Sequence, residues 1–263
     1  MTSAAAFHWS IFQFQSFTLI LMRVAPIIFL LPIFSARQVP NLAKAGLTLT
    51  VSLILLPTVK IDLRDFPGES YEFIYFMGAE LMVGFILGLA VKLIFAGVQL
   101  AGEFVAYQMG LAMANIIDPQ SGGNSTLIAE FCYIFAILIF LLVDGHHWFF
   151  RAMAQSFAVI APGGVHLQEG LLPYFTRLSG EMFIIAVKLT APVMAVLIFT
   201  QIALGLVAKM VPQFNILMTS FPLTIGLGLF FFGLSLDLFG PYLKNLLEQA
   251  GVGLVQTLLP LLR

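Results

Sequence analysis

Six long apolar runs, separated by short polar connections, dominate the hydropathy pattern of the chain. A membrane-spanning helix needs roughly 20 mostly apolar residues, because the hydrocarbon core is about 30 Å thick and each residue rises about 1.5 Å. The runs approach or exceed this length, so they are six candidate membrane segments, although the charges and prolines described below argue against reading them as six simple spans. They cover residues 16–34, 42–59, 73–98, 127–143, 179–207 and 216–239.

Two further apolar stretches are predicted to be helices of another kind. Residues 148–161 end at a Pro-Gly-Gly sequence and are too few to span comfortably, which favours a re-entrant or interfacial helix. Residues 241–263 place their leucines on one helical face, flanked by polar side chains such as Lys244 and Glu248. This pattern predicts a peripheral amphipathic helix.

The composition excludes a soluble globular domain. Of the 263 residues, 60% are hydrophobic and 10% are charged, and the mean hydropathy is +1.01. Soluble domains carry about 25% charged residues, so this chain has too few charges to cover a surface that faces water. The net charge of -1 gives no electrostatic support for nucleic-acid binding. We therefore predict an all-α membrane protein that forms one helical unit over residues 1–263.

Charged residues inside the apolar runs predict that lipid alone does not surround the helices. A charge at the bilayer centre costs about 2.5–3.5 kcal/mol on insertion scales, so it should face protein, water or another charge. Glu181 and Lys188 share a helical face but stand two turns apart, so their partners are expected on other helices or subunits. The charged residues concerned are Arg23, Glu80, Glu130, Glu181, Lys188 and Asp237.

Prolines and glycines in the same runs support this interpretation. A proline removes a backbone donor and clashes with the preceding turn, so kinks or breaks are expected. The freed carbonyls then need neighbouring protein, because lipid offers no donors. Gly84 and Gly88 lie on one stripe with Glu80 and allow another helix to approach closely. Together these features predict a subunit of a larger assembly. The prolines are Pro26, Pro32, Pro192, Pro212 and Pro222.

The sequence offers little catalytic or metal-binding chemistry. Asp144-Gly145-His146-His147 is the one polar cluster rich in metal-type ligands. Adjacent histidines are expected to point to different faces of a helix, and zinc sites usually need three or four protein ligands. We interpret the cluster as a helix-end turn at a membrane interface. Phosphate-binding loops and nucleophile motifs do not occur in the sequence, so no catalytic residue, metal or cofactor is predicted.

Residues 108–126 form the most informative connection. Its first half is apolar and carries Met109 and Met113, whose flexible side chains adapt to irregular surfaces. Its second half contains Asp118-Pro119 and Gly122-Gly123, which break regular helix. An apolar segment between two membrane helices cannot extend freely into water. It should therefore be buried in protein or block a cavity.

Three groups of short motifs follow one another over nearly the whole chain. They are Ala101-Gly102-Glu103 with Gln108-Met109-Gly110-Leu111 and Asp118-Pro119; Gly145-His146; and Leu204-Gly205-Leu206 with Pro212-Gln213, Asn215 and Phe221-Pro222. With these motifs the chain resembles the FliR/SctT family, which contributes a subunit to the export gate of type III secretion systems. Lys209 stands where an arginine is common in that family, which keeps the charge but loses the planar guanidinium.

The resemblance implies a fold of kinked helical hairpins. A FliP-like part, at approximately 1–177, would be joined to a FliQ-like part at 178–263. Such a subunit completes a helical ring with FliP and FliQ, contacts FlhB, and sits in the bacterial inner membrane at the flagellar basal body. The resemblance further implies that unfolded flagellar proteins pass through the central channel, and that residues 108–126 project into it as a plug.

The site residues follow from both lines of reasoning. We expect the seal of the plug to come from Met109, Leu111, Met113, Ile116 and Ile117, in a loop that also holds Asp118 and Pro119. Gly110, Gly122 and Gly123 are expected to let the loop move. The predicted buried polar and packing positions are Arg23, Glu80, Gly84, Gly88, Glu181, Lys188, Lys209, Pro212, Gln213 and Asn215.

Two other functions remain open from the residues. Broken helices with Glu181 and Lys188 inside them would suit a secondary transporter for small solutes. A polytopic membrane enzyme centred on Asp144, His146 and His147 is the other alternative. A transporter should purify alone or as a homo-oligomer, whereas the gate subunit should need FliP and FliQ. Replacing both histidines by glutamine would separate an enzyme from a structural role.

Overall fold

The computed structural model describes residues 2–35, 39–59, 70–111, 126–166, 168–211 and 216–263, and every regular element in these ranges is helical. The helices are α1 (Thr2–Leu30), α2 (Pro32–Ser35), α3 (Asn41–Leu55), α4 (Ser70–Met109), α5 (Leu127–Leu142), α6 (Gly145–Val159), α7 (Leu171–Met210) and α8 (Ile216–Gly253). After α8 the chain continues in a π-helical turn (Leu254–Leu258) and a 3-10 turn (Leu259–Leu262). The predicted all-α fold is confirmed.

Four stretches in the described part of the chain are long and apolar enough to cross a membrane: Ile11–Leu30, Tyr71–Met109, Leu171–Met210 and Ser220–Leu262. The number rises to five if α5 and α6, which meet at a bend of 72°, are one broken span. The membrane class is therefore confirmed, and the six candidate segments correspond to four or five possible spans, in line with the expectation that they are not six simple spans. Helix α3 has only 15 residues, and α5 passes the same test only together with α6.

The corner between α5 and α6 lies at Asp144, whose φ of 56° is left-handed. Aspartate enters this region more readily than most residues, because its short side chain can form local hydrogen bonds. The predicted re-entrant or interfacial helix at 148–161 corresponds to α6. It is the second arm of this bent pair, which has the geometry of a broken span or a re-entrant loop.

The described prolines differ in their effect on helix continuity. Pro32 lies at the start of α2, directly after α1 has ended at Leu30, so the expected break occurs there. Pro26, Pro192 and Pro222 lie inside continuous helices, so the helices do not break there, and the expected kinks stay a prediction. Membrane helices tolerate interior prolines where neighbouring groups satisfy the freed carbonyls. Pro212 lies outside the described residues.

The C-terminal amphipathic pattern is present, but not as a separate helix. Helix α8 continues past the predicted end at 239 and runs to Gly253, so the prediction of a new helix at 241 is wrong. Lys244 and Gln249 are exposed, as the pattern requires. The buried leucines of this stretch include Leu243, Leu247, Leu254 and Leu258.

The chain divides into two compact units. The first contains Met1–Lys92, Asp144–Arg177 and Glu248–Arg263, and the second contains Leu93–Val143 and Leu178–Leu247. The predicted FliP-like part at 1–177 and FliQ-like part at 178–263 are consecutive stretches of the chain, whereas each compact unit combines several separate stretches. The predicted division is therefore not tested by these units and stays a prediction.

Close helix approach shapes the first unit. A Cβ atom on Gly84 would collide with the carbonyl oxygen of Arg23 and lie 2.6 Å from Cγ of Pro26. One turn later, a Cβ atom on Gly88 would lie 2.8 Å from Cβ of Leu30. The G-x-x-x-G spacing thus faces α1, and the absence of side chains lets the two backbones meet.

Glycines of α4 and aromatic rings organise the second unit. A Cβ atom on Gly97 would lie 2.9 Å from the carbonyl oxygen of Met182, so α7 approaches α4 closely there. Phe95 packs edge-on against Phe140, with ring centroids 5.5 Å apart, and against Tyr133 at 6.3 Å. Such edge-to-face pairs add about 0.5–1.5 kcal/mol beyond the buried area.

Candidate functional site at the end of helix α4

Helix α4 ends in a motif that requires glycine. The backbone N–H of Leu111 donates to the carbonyl of Ala106, and the N–H of Gly110 donates to the carbonyl of Tyr107, both at 3.0 Å. These two bonds, with a left-handed residue at Gly110 (φ of 86°), form a Schellman motif. A residue with a side chain would be strained there by about 1–2 kcal/mol. We call residues 108–111 the loop base.

Helix α8 packs directly against the loop base. A Cβ atom on Gly110 would lie 2.6 Å from the Phe221 ring, so the ring covers the glycine. The Met109 side chain is fully buried, and a Cβ atom on Gly228 would lie 2.6 Å from its Cγ. The hydroxyl of Thr224 lies 3.1 Å from the carbonyl oxygen of Met109 and can donate to it. Gly228 therefore provides the space that Met109 fills.

Helix α7 contacts the same residues through paired amides. Nε2 of Gln108 donates to Oε1 of Gln201 at 3.0 Å, and Nε2 of Gln201 donates to the backbone carbonyl of Gln108 at 3.2 Å. Each hydrogen bond contributes about 0.5–1.5 kcal/mol net, and the two bonds fix the side chain and the backbone of Gln108 together.

Residues from two of the motif groups line one small cavity in the second unit. It has a volume of about 360 Å³, and its walls include Gln108 and Gly110 from α4, Leu204 and Gly205 from α7, and Phe221 from α8. These residues come from two stretches of sequence about 100 positions apart. The fold thus brings together residues that were singled out separately in the sequence.

Helix α5, where the described chain resumes, begins against the same helix α4. Thr126 caps α5, because its hydroxyl accepts from the backbone N–H of Ala129 at 3.3 Å. A Cβ atom on Gly102 would lie 2.8 Å from the nitrogen of Ala129, so α5 begins in close contact with α4. Gly102 precedes Met109 by seven helical positions, or about 10 Å along the axis. Both ends of the intervening segment are therefore held by α4.

The structure places three of the predicted plug residues. Met109 is buried and holds the loop base, Gly110 is the helix-ending glycine, and Leu111 is half-buried. The seal itself stays a prediction. The other plug residues lie outside the described residues: Met113, Ile116, Ile117, Asp118, Pro119, Gly122 and Gly123.

The first unit buries an ion pair inside its helices. Nε and Nη2 of Arg23 donate to the two carboxylate oxygens of Glu80, the second at 2.8 Å, and both side chains are at most 1% exposed. The guanidinium also donates to the hydroxyl of Ser156 at 3.2 Å and to the carbonyl of Ile160 at 3.1 Å. The backbone N–H of Gly163 donates to the Glu80 carboxylate at 3.1 Å. The pair is therefore satisfied without lipid or water.

The remaining predicted polar positions are more open. Glu181 is half-buried, whereas Lys188 is exposed and its ammonium lies 6.0 Å from the ring centre of Tyr242. Lys209 is exposed in the last turn of α7, where a cation interacts favourably with the helix dipole. Pro212, Gln213 and Asn215 lie outside the described residues.

The expected separation of the two histidines is wrong. The ring centroids of His146 and His147 lie 4.2 Å apart, and one ligand-type atom from each ring and from Asp144 lies within 4.8 Å of the other two. Both histidines occupy the open first turn of α6, where their rings can turn toward each other. The left-handed backbone at Asp144 brings its carboxylate to 3.4 Å from Nδ1 of His147. Three side chains could thus share a ligand here, although two of them are about 70% exposed.

Comparison with known proteins shows which family and which proteins this chain is similar to. The family model described as bacterial export proteins, family 1, matches residues 14–250. The flagellar biosynthetic protein FliR of Bacillus subtilis is 36% identical over 215 residues, which are 81% of this chain and 82% of that protein. FliR of Pectobacterium carotovorum is 32% identical and FliR of Escherichia coli is 30% identical, each over 87% of both chains.

Proposed function

The chain belongs to the family of bacterial export proteins, family 1, and is a membrane-embedded component of a flagellar export apparatus; from this premise we propose that it is a channel-forming subunit of the export gate. In this proposal it completes an assembly with FliP and FliQ, contacts FlhB, and lies in the bacterial inner membrane. The assembly passes unfolded flagellar proteins, and residues 108–126 close it when no substrate is present.

The geometry of the loop base carries the proposal. A closing segment needs fixed ends and a middle that can yield to a passing chain. Here Gly110 and Gln108 are held by α7 and α8, and Thr126 begins a helix that packs on Gly102 of the same α4. The two ends cannot separate unless α4 itself deforms. Between them the sequence places apolar side chains and glycines, a composition suited to a soft seal.

The outer surface of the second unit supports the proposed partners. Gly226, Gly233 and Gly240 recur at a spacing of seven on α8, and a Cβ atom on any of them would meet nothing within 4 Å. Lys188 and Asp237 are exposed on helices that are long and apolar enough to span a membrane. Small residues let helices approach closely, and exposed charges are costly against lipid. FliP and FliQ would cover this surface.

Deleting residues 112–123 tests the gate function, because it leaves the Schellman motif and the Thr126 cap intact. The variant is co-expressed with FliP and FliQ, and ion flux is measured through the purified complex in liposomes. We expect increased ion leakage. A second variant replaces the same residues by a Gly/Ser segment of equal length, and it should leak as well because the apolar side chains are gone. Unchanged flux in an intact complex would contradict the proposal.

The mass of the intact co-expressed complex addresses the proposed partners separately. A gate subunit is expected in a defined complex with FliP and FliQ. A chain that purifies only alone or as a homo-oligomer would instead support a solute transporter.

A further inference from the structure

A cavity in the first unit combines basic and apolar walls. It has a volume of about 860 Å³, which is within the range of roughly 300–1,000 Å³ typical of ligand pockets. Arg151, Ala154 and Ala158 line it from the exposed face of α6, Val59 from the turn after α3, and His166 and Arg263 from two further segments. None of the residues that line it belongs to the loop base or to the second unit.

Hydrogen bonds hold the cavity walls in place. The backbone N–H of His166 donates to the carbonyl of Leu262 at 3.3 Å, which brings His166 and Arg263 to the same side. Phe157 also lines the cavity, and the centre of its ring lies 4.2 Å from the Arg23 guanidinium carbon. The buried Arg23–Glu80 pair therefore supports α6 from within, and the cavity is a built feature of the unit.

The charged side chains on the cavity walls are all basic. Arg151 and Arg263 line it, arginine stays charged at any physiological pH, and no carboxylate side chain among the described residues lines it. Within the described part of the chain, neither arginine nor His166 has an ion-pair partner. An anion in the cavity would therefore be attracted by the Arg151 guanidinium, and by that of Arg263 against the opposing charge of the α-carboxylate on the same residue.

The apolar part of the wall selects among anions. Ala154 and Ala158 leave a smooth exposed strip along α6, and Val59 adds a second apolar surface. A free phosphate ion gains nothing from these side chains, whereas an acyl chain does. Basic pockets between membrane helices are known sites for anionic headgroups. We propose that this cavity binds an anionic phospholipid, with the headgroup phosphate at Arg151 and Arg263 and an acyl chain along Ala154, Ala158 and Val59.

Native mass spectrometry of the full chain in a neutral detergent tests the proposal. Phosphatidylglycerol is titrated against phosphatidylcholine, which has the same acyl chains but no net charge. We expect preferential retention of phosphatidylglycerol, about five-fold weaker in Arg151→Gln and retained in Arg151→Lys. Lys92→Gln is the matched control, because it removes one exposed cation from the same unit outside the cavity and should leave retention unchanged.

Two further experiments distinguish a bound phospholipid from other possible occupants of the cavity. Ala154→Trp fills the cavity without changing its charge, so it should also weaken phosphatidylglycerol retention. Inorganic phosphate in excess should fail to displace the lipid. The proposal is overturned if both lipids bind equally, if Arg151→Gln and Lys92→Gln behave alike, or if phosphate displaces the lipid and the site takes small anions. Loss of the lipid on assembly with FliP and FliQ would also overturn it, because the face would then bind protein.

Discussion

Removing one partner of the buried Arg23–Glu80 pair should destabilise the first unit strongly. Arg23→Met deletes four hydrogen bonds, two of them to Glu80, and leaves that carboxylate with the backbone N–H of Gly163. An uncompensated buried charge costs about 3–5 kcal/mol. Because proteins are stable by only about 5–15 kcal/mol, this loss is a large share of the total.

The double variant gives the stronger test. Replacing a whole buried ion pair by apolar residues is often neutral, so Arg23→Met with Glu80→Met should lose only what the Gly163 N–H and the Ile160 carbonyl lose, about 1–3 kcal/mol. We therefore expect the double variant to be more stable than Arg23→Met alone by roughly 2 kcal/mol.

Unfolding by sodium dodecyl sulfate in mixed micelles measures these differences. Trp148 is a suitable fluorescent reporter because it packs on Gly251 in the first unit, and a Trp9→Phe background removes the other tryptophan. Equal or additive losses in the single and double variants would refute the reasoning, since they would mean that the charges do not depend on each other.

Three other substitutions test local packing. Gly110→Ala should destabilise the second unit by about 1–2 kcal/mol, because its φ is positive and the Phe221 ring fills the space; unchanged thermal stability would contradict this. Gly84→Ala should destabilise the first unit by about 1–3 kcal/mol, because the new Cβ atom collides with α1. Gly78→Ala on the same helix meets nothing and should stabilise by up to about 1 kcal/mol. If thermal unfolding showed stability changes of the same sign for both, close helix approach at Gly84 would be contradicted. Gly233→Leu should leave the isolated chain as stable as before and abolish co-purification with FliP and FliQ, so normal assembly would argue against the proposed partner surface.

The helical class could be predicted from the sequence because apolar runs and scarce charges have few other solutions. The lengths of the helices could not be predicted in the same way. Helix α4 continues through Lys92 and Glu103, because a charged side chain does not remove backbone hydrogen bonds. It ends at Gly110, where the left-handed cap stops it. Hydropathy marks where lipid is tolerated, whereas helix ends are set by local backbone chemistry.

The candidate site, too, could be predicted only in part from the sequence. Gly110 could be recognised as a helix-ending glycine from its position after an apolar run. Gln201 and Thr224 could not be assigned to the loop base, since they lie 93 and 115 residues from the groups they contact and follow no local pattern. The pairing of Arg23 with Glu80 was missed for the same reason. The cost of a buried charge predicts that a partner exists, but not which one.

The Arg23–Glu80 pair also has a consequence for the order of synthesis. Arg23 leaves the ribosome 57 residues before Glu80 and 133 before Ser156. At about 5–20 residues per second, the arginine waits roughly 3–11 s for its carboxylate. During that time the first helix carries a bare charge, which makes lateral release into lipid unfavourable. The insertion machinery should therefore retain α1 until α4 arrives, so that Arg23 enters the bilayer already paired with Glu80.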